Sequence, residues 1–272
     1  MPFCQVDGAE IFYEDSGGNG VPILFSHGLL WSGEMFAAQV AALRQTHRCI
    51  TYDHRGQGRS PDSQTPFDME QLAADALTLI RTLSLPPCHF VGLSMGGFVG
   101  MRLAARHPEL LRSLTLIETA ADREPRMNIP KYRMLAFLAR LFGYRMLVPP
   151  IMKIMFAPSF LHDPNRQEQR RKMEHHLAKL RDAATRAALE SVISRQPIEH
   201  ELSRIRIPTL VLHGTDDAAI VPHRAQKMAA AILGSKLVMI PHAGHTSTVE
   251  EPAAINAALC AFVQSLSDSQ PA

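Results

Sequence analysis

Three features of this sequence have residue types and spacings that suit acyl-transfer chemistry. Ser94 lies in Gly92-Leu93-Ser94-Met95-Gly96-Gly97, a G-x-S-x-G string. A serine hydroxyl is a weak nucleophile at neutral pH and needs a base to take its proton. The chain has 13 histidines, and His245 is the best placed of them. It follows Pro241-His242-Ala243-Gly244, in the loop after the last apolar run, from which it can hang over a sheet edge. His242 is its rival. His175 and His176 stand in a charged helical stretch and are expected on the surface; His213 ends an apolar run and is expected to be structural. A base of this kind needs a carboxylate to hold its tautomer and stabilise the imidazolium. Thr209 to His213 runs into Gly214-Thr215-Asp216-Asp217, so Asp216 or Asp217 can supply it.

The elements around Ser94 fit that role. His89-Phe90-Val91 reads as the end of a buried strand, and Phe98 to His107 reads as a helix stopped by Pro108. Ser94 therefore sits where a strand turns sharply into a helix, the context a nucleophile elbow requires. Side chains at Gly92 or Gly96 would collide with the neighbouring elements. The following helix points its N-terminus at the serine, where free N–H groups and the helix dipole favour an anion.

Elsewhere, strands and helices alternate. Phe3–Val6 and Glu10–Asp15 are strands joined by an Asp7-Gly8 turn. Strands follow at Pro22–Ser26, His47–Tyr52, Arg112–Ile117, Pro208–Leu212 and Leu237–Ile240. Helices are expected over Gly33–Gln45, from Asp68 as N-cap to Leu83, over His223–Leu233 and over Pro252–Leu266. That rhythm implies a mostly parallel, eight-stranded sheet with helices on both faces. It breaks between about Arg123 and Ser203, where the chain has many prolines, helical runs rich in Met, Leu and Phe, and no clear strand. A core domain of residues 1–122 and 204–272, with residues 123–203 inserted as a helical lid, follows from this. The lid would cover the carboxyl ends of the strands, where such sheets bind ligands. Residues 267–272 read as a frayed tail.

Composition narrows the class. The 272 residues are 46% hydrophobic and 20% charged, ample for a large core. A net charge of +2 from 28 basic and 26 acidic residues offers no basic face of the kind that binds nucleic acid. The most apolar segment, Met134 to Leu161, is broken by Arg140, Arg145, Pro149, Pro150 and Lys153 and does not read as a membrane span. Cys4, Cys49, Cys88 and Cys260 lack any C-x-x-C spacing; with no signal-peptide pattern at the start, a reduced, cytoplasmic setting is expected. There is no H-E-x-x-H, no cluster with ligand spacing and no dinucleotide fingerprint, so neither metal nor organic cofactor is expected. Oligomeric state is not legible; a homodimer through an exposed part of the lid is one arrangement open to the chain.

From His27 to Glu251 the chain resembles the α/β-hydrolase fold enzymes. Ser94 in its elbow matches their nucleophile, Gly244-His245 matches their histidine before the closing helix, and the chain order Ser, Asp, His is theirs. In that family the acid stands three residues after the glycine that ends its strand, which selects Asp217 over Asp216. Some relatives place the acid after the strand that follows the nucleophile, where this chain has Glu118. The resemblance also implies an oxyanion hole of two backbone N–H groups, Met95 and, from the His27-Gly28-Leu29 loop, Leu29. Many relatives have proline where this chain has Leu30, a change expected to alter loop shape and pocket lining. Asp53 to Ser60 matches a family loop and reads as a structural turn pinned by Asp53 and Arg55.

The subgroup that reads closest is the bacterial carboxylesterase and 3-oxoadipate enol-lactonase-like hydrolases. The elbow helix with Glu109, and Phe156-Ala157-Pro158-Ser159-Phe160 in the lid, carry that likeness. The function it implies is a serine hydrolase of small, mainly apolar esters or lactones, with Leu30, Trp31, Met155 and Phe156 as substrate-binding residues. The same fold and triad also serve C–C bond hydrolases and cofactor-free perhydrolases or haloperoxidases, and a non-catalytic binding protein is the reading from another class.

Overall fold

The structure, a computed structural model, describes residues 2–267. The tail expected at residues 267–272 lies, beyond Ser267, outside the described residues.

Eight strands form one sheet: β1 (Phe3–Val6), β2 (Ala9–Asp15), β3 (Pro22–Ser26), β4 (Arg48–Tyr52), β5 (Cys88–Leu93), β6 (Leu111–Ile117), β7 (Thr209–Gly214) and β8 (Lys236–Ile240). Their order is β1-β2-β4-β3-β5-β6-β7-β8. The β1–β2 and β2–β4 pairs are antiparallel and the other pairs are parallel. Every residue of β3, β5 and β7 is buried, as expected of parallel strands covered on both faces.

Alternation along the strands feeds two cores. Leu24, Phe90, Leu114 and Val211 face one side, against α2 (Met69–Thr82), α3 (Met95–Arg106) and α9 (Pro222–Ala231). Ile23, Phe25, Val91 and Leu212 face the other, against α1 (Ala37–Leu43) and α10 (Pro252–Ser267). The helix expected over Gly33–Gln45 is a 3₁₀ turn, Gly33–Phe36, followed by the shorter α1. The Asp68 side chain caps α2 by accepting from Gln71 N–H at 2.9 Å.

Between β6 and β7 the described elements are helical: α4 (Ile129–Phe142), α5 (Val148–Met155), α6 (Pro158–His162), α7 (Gln167–Ala178) and α8 (Asp182–Ile193), with short 3₁₀ turns between. This stretch is the one expected from the sequence to form a lid. Residues from it, Ile151, Met155 and Phe160 among them, join the second core.

The turn after β5 is tight. A methyl group on Gly96 would lie 1.9 Å from the Ser26 carbonyl oxygen, and one on Gly92 2.3 Å from that of Gly96. The two glycines let the helix start directly against β3, and Ser94 between them takes φ +52°, a left-handed conformation uncommon for serine. At the same edge of the sheet, after β4, Asp53 accepts from Gly33 N–H at 2.7 Å and Arg59 N–H at 2.8 Å, while Arg55 pairs with buried Asp75 at 2.6 Å. These contacts fix the Asp53–Ser60 turn.

Candidate active site

Ser94, Asp217 and His245 come from three separate strand ends and meet. The Ser94 Oγ is 2.9 Å from His245 Nε2, and His245 Nδ1 is 2.8 Å from Asp217 Oδ2. All three are buried. With Nδ1–H donated to the carboxylate, Nε2 presents its lone pair to the serine hydroxyl. Asp217 Oδ1 accepts from the Ala219 and Ile220 N–H groups at 2.8 and 2.9 Å. Burial pushes the Asp217 carboxyl up, but the His245 ring, His213 and the Ile220 N–H together outweigh burial and hold the group below its ordinary value. A buried, ionised acid behind a histidine that touches a serine can move the serine proton and steady the resulting imidazolium.

The rival residues are elsewhere. Asp216 is exposed and takes the Thr215 hydroxyl at 3.0 Å. His242 is exposed, at φ +60°, with its carbonyl held by the Ser159 hydroxyl. Glu118 is buried behind Asp217 and accepts the Gly214 N–H at 2.9 Å. Burial, reinforced by the Asp217 charge, drives its carboxyl well above the ordinary range and so favours its protonated form. His213 donates from Nε2 to the Ile220 carbonyl at 2.8 Å, which leaves Nδ1 as a lone pair 3.4 Å from Glu118 Oε2. Glu118, His213 and Asp217 are also the group, among the described residues, whose donor atoms lie within 4.8 Å of one another as metal ligands must. Each is already engaged by the contacts just given.

The loop after β3 packs beside the serine: a methyl on Gly28 would lie 3.4 Å from Ser94 Cβ. Met95 N–H is the first of α3 and has no acceptor within the helix. The loop is held by side chains to which the sequence assigned no such role. His54 N–H donates to His27 Nε2 at 2.9 Å, so His27 Nδ1 carries the proton and donates to the Gly28 carbonyl at 2.7 Å. Leu30, at φ +75°, has its N–H bound by Gln57 Oε1 at 3.1 Å. Its carbonyl is bound by His176 Nε2 at 2.7 Å. His176 is therefore not the surface residue expected: it is partly buried and its ring stacks on Trp31 at 5.1 Å.

Above Ser94 lies a cavity of about 120 Å³ bounded mainly by apolar side chains. Leu29, Leu30, Phe98, Met155 and His245 line it near the serine; α4, α5 and α8 supply most of the rest. Two residues expected to bind substrate do not line it. Trp31 and Phe156 are 3% and 2% exposed and pack edge to face, 5.8 Å apart. Phe156 also stacks on Phe160 at 4.7 Å. Their aromatic surface is spent joining the lid to the loop after β3.

Glu250 is a further residue without a sequence signal. Its carboxyl accepts the N–H groups on both sides of His245, Gly244 at 3.1 Å and Thr246 at 3.0 Å, and that of Ala157 in the lid at 2.7 Å. Burial, partly offset by these hydrogen bonds, pushes it up to about 7 from an ordinary 4.5. The native state thus holds a proton that the unfolded chain releases between those values. This group's contribution to stability should fall as pH rises from about 4.5 to about 7 and be level on either side. Glu250→Gln cannot ionise and should remove that fall, on the order of 3 kcal/mol. Urea melts of both proteins at pH values across and beyond this window check it; parallel curves would refute it.

A family model described as alpha/beta hydrolase fold matches residues 21–252. The chain belongs to the α/β-hydrolase family. The 3-oxoadipate enol-lactonase 2 of Acinetobacter baylyi is 30% identical over 242 residues, 89% of this chain and 88% of that protein. A Variovorax paradoxus protein provisionally named carbamate hydrolase RutD is 30% identical over 269 residues, 94% of this chain and 97% of that one. The crystal structure of the enol-lactonase from Burkholderia xenovorans LB400 superposes with a TM-score of 0.89 at 30% identity, covering 97% of this chain and all of that one. The family and these relatives make this α/β-hydrolase chain a hydrolase. No helix among the described residues is long and apolar enough to cross a membrane.

Proposed function

We propose that this hydrolase cleaves small, mainly apolar carboxylic esters or lactones through an acyl-enzyme, with Ser94 as nucleophile, His245 as base and Asp217 as its acid. The observation that supports this most is the Ser94–His245–Asp217 chain of contacts opening on an apolar cavity. His245 takes the Ser94 proton as Oγ attacks the carbonyl carbon. The tetrahedral oxyanion is held by the Met95 and Leu29 N–H groups, each such donor lowering the barrier by about 3–4 kcal/mol. His245 then protonates the leaving alcohol, and water repeats the two steps on the acyl-enzyme.

Cavity size and charge narrow the substrate. A cavity of about 120 Å³ walled mainly by apolar side chains suits a small, apolar acyl group. The carboxyl and imidazole groups on its wall are Glu124, bound to Arg195 at 3.2 Å, and His245. With no lysine or arginine lining it, the cavity disfavours substrates that carry a free carboxylate. Turnover of p-nitrophenyl esters of increasing acyl length should peak at short to medium chains and be at least tenfold slower for an acyl group ending in a carboxylate. A preference for the dicarboxylic ester would refute the apolar assignment.

A further inference from the structure

The outer face of the lid differs from the rest of the surface. Met127 is 91% exposed, Met134 57%, Phe137 55%, Leu141 55%, Phe142 59% and Met146 67%. On α4, Arg133, Met134, Phe137, Arg140 and Leu141 recur at helical spacing and form one exposed stripe. Large apolar side chains gathered on an exposed face mark an interaction surface.

Charge on the same segment indicates the partner. From Pro125 to His162 the chain has six basic residues, Arg126, Lys131, Arg133, Arg140, Arg145 and Lys153, and no aspartate or glutamate, although the whole chain is only +2. Of the six, Arg133 is the one with a carboxylate partner among the described residues, Glu190 at 3.1 Å. A two-fold contact between copies of this face would set these cations against each other, with Glu190, already paired to Arg133, as the carboxylate beside them. A membrane surface rich in anionic headgroups offers the complement to both features: apolar side chains enter the acyl boundary while the cations stay at headgroup level.

We propose that this face of the lid docks on anionic lipid bilayers. The other side of α4, with Tyr132, Leu135 and Ala136, lines the cavity above Ser94. Docking would place that cavity next to a phase in which apolar esters concentrate. This purpose, though not the binding itself, rests on the ester-hydrolase reading.

The test uses full-length protein carrying Ser94→Ala, so that no lipid ester is cut and binding is read separately from catalysis. Sedimentation with vesicles of phosphatidylcholine alone, or of phosphatidylcholine and phosphatidylglycerol in equal parts, should show at least tenfold stronger binding to the anionic vesicles. High salt should remove most of that difference. Arg140→Ala and Arg145→Ala should each weaken binding about fivefold, and the pair Phe137→Ser with Leu141→Ser should abolish it. Against an otherwise wild-type background, that pair should leave turnover of a soluble ester unchanged. Equal binding to both vesicles, binding to neither, or a dimer that Phe137→Ser dissociates would overturn the proposal. Anionic binding by a protein that cleaves no ester would uphold it and reject the ester-hydrolase reading alone.

Discussion

Ser94→Ala should lower kcat on the best p-nitrophenyl ester by about 10⁴- to 10⁶-fold while KM moves little. The alanine removes the atom that forms the acyl bond, but leaves the cavity, the His245–Asp217 contact and the neighbouring N–H groups in place. Ser94 Oγ meets His245 Nε2 at 2.9 Å, and that one contact is the substitution's main loss within the folded chain. The backbone turn depends on Gly92 and Gly96, not on the serine side chain. The variant should therefore keep its circular dichroism spectrum and thermal midpoint. Groups that act as one unit lose rate together, so Ser94→Ala with His245→Ala should cost little more than either alone. Activity within tenfold of wild type in Ser94→Ala would remove the serine mechanism altogether.

The second large effect separates the three carboxylates. Asp217→Asn should cost about 10⁴-fold in kcat, because the amide can donate to His245 Nδ1 and turn the ring to the wrong tautomer. Asp216→Asn should change kcat less than twofold: its side chain is exposed and engages Thr215. Glu118→Gln should cost less than tenfold. Burial and the Asp217 charge favour protonated Glu118, whose shape and neutrality glutamine keeps. Steady-state kinetics of the three variants on one ester decide the matter. A Glu118→Gln loss larger than that of Asp217→Asn would reverse the choice of acid.

The parts of the site legible in the sequence are those set by short-range sterics. A serine two residues from glycine on either side, between an apolar run and a helical one, admits few backbone solutions. Here the close approach of Gly96 to Ser26 shows why. Strand and helix rhythm made the sheet and the all-helical stretch between β6 and β7 readable, since burial on both faces demands unbroken apolar runs. Family likeness separated Asp217 from Asp216, which composition alone left open.

What remained hidden depends on segments far apart in the chain. His176 reads as a surface residue in a charged helix, yet folding carries it to the Leu30 carbonyl, 146 positions away. Glu250 looks like any acid near a helix start until the lid brings Ala157 N–H against it. Trp31 and Phe156 have the right character for a pocket wall, and only packing shows them set edge to face against each other. By itself, then, the sequence determined the elbow, the alternation that builds the sheet and the kind of chemistry, because backbone sterics and hydrophobic period act within a few residues. Tertiary structure alone decided which side chains hold the loop beside Ser94 and which aromatic rings stay out of the cavity. Those outcomes turn on hydrogen bonds of about 3 Å between distant segments, and no local pattern encodes such a distance.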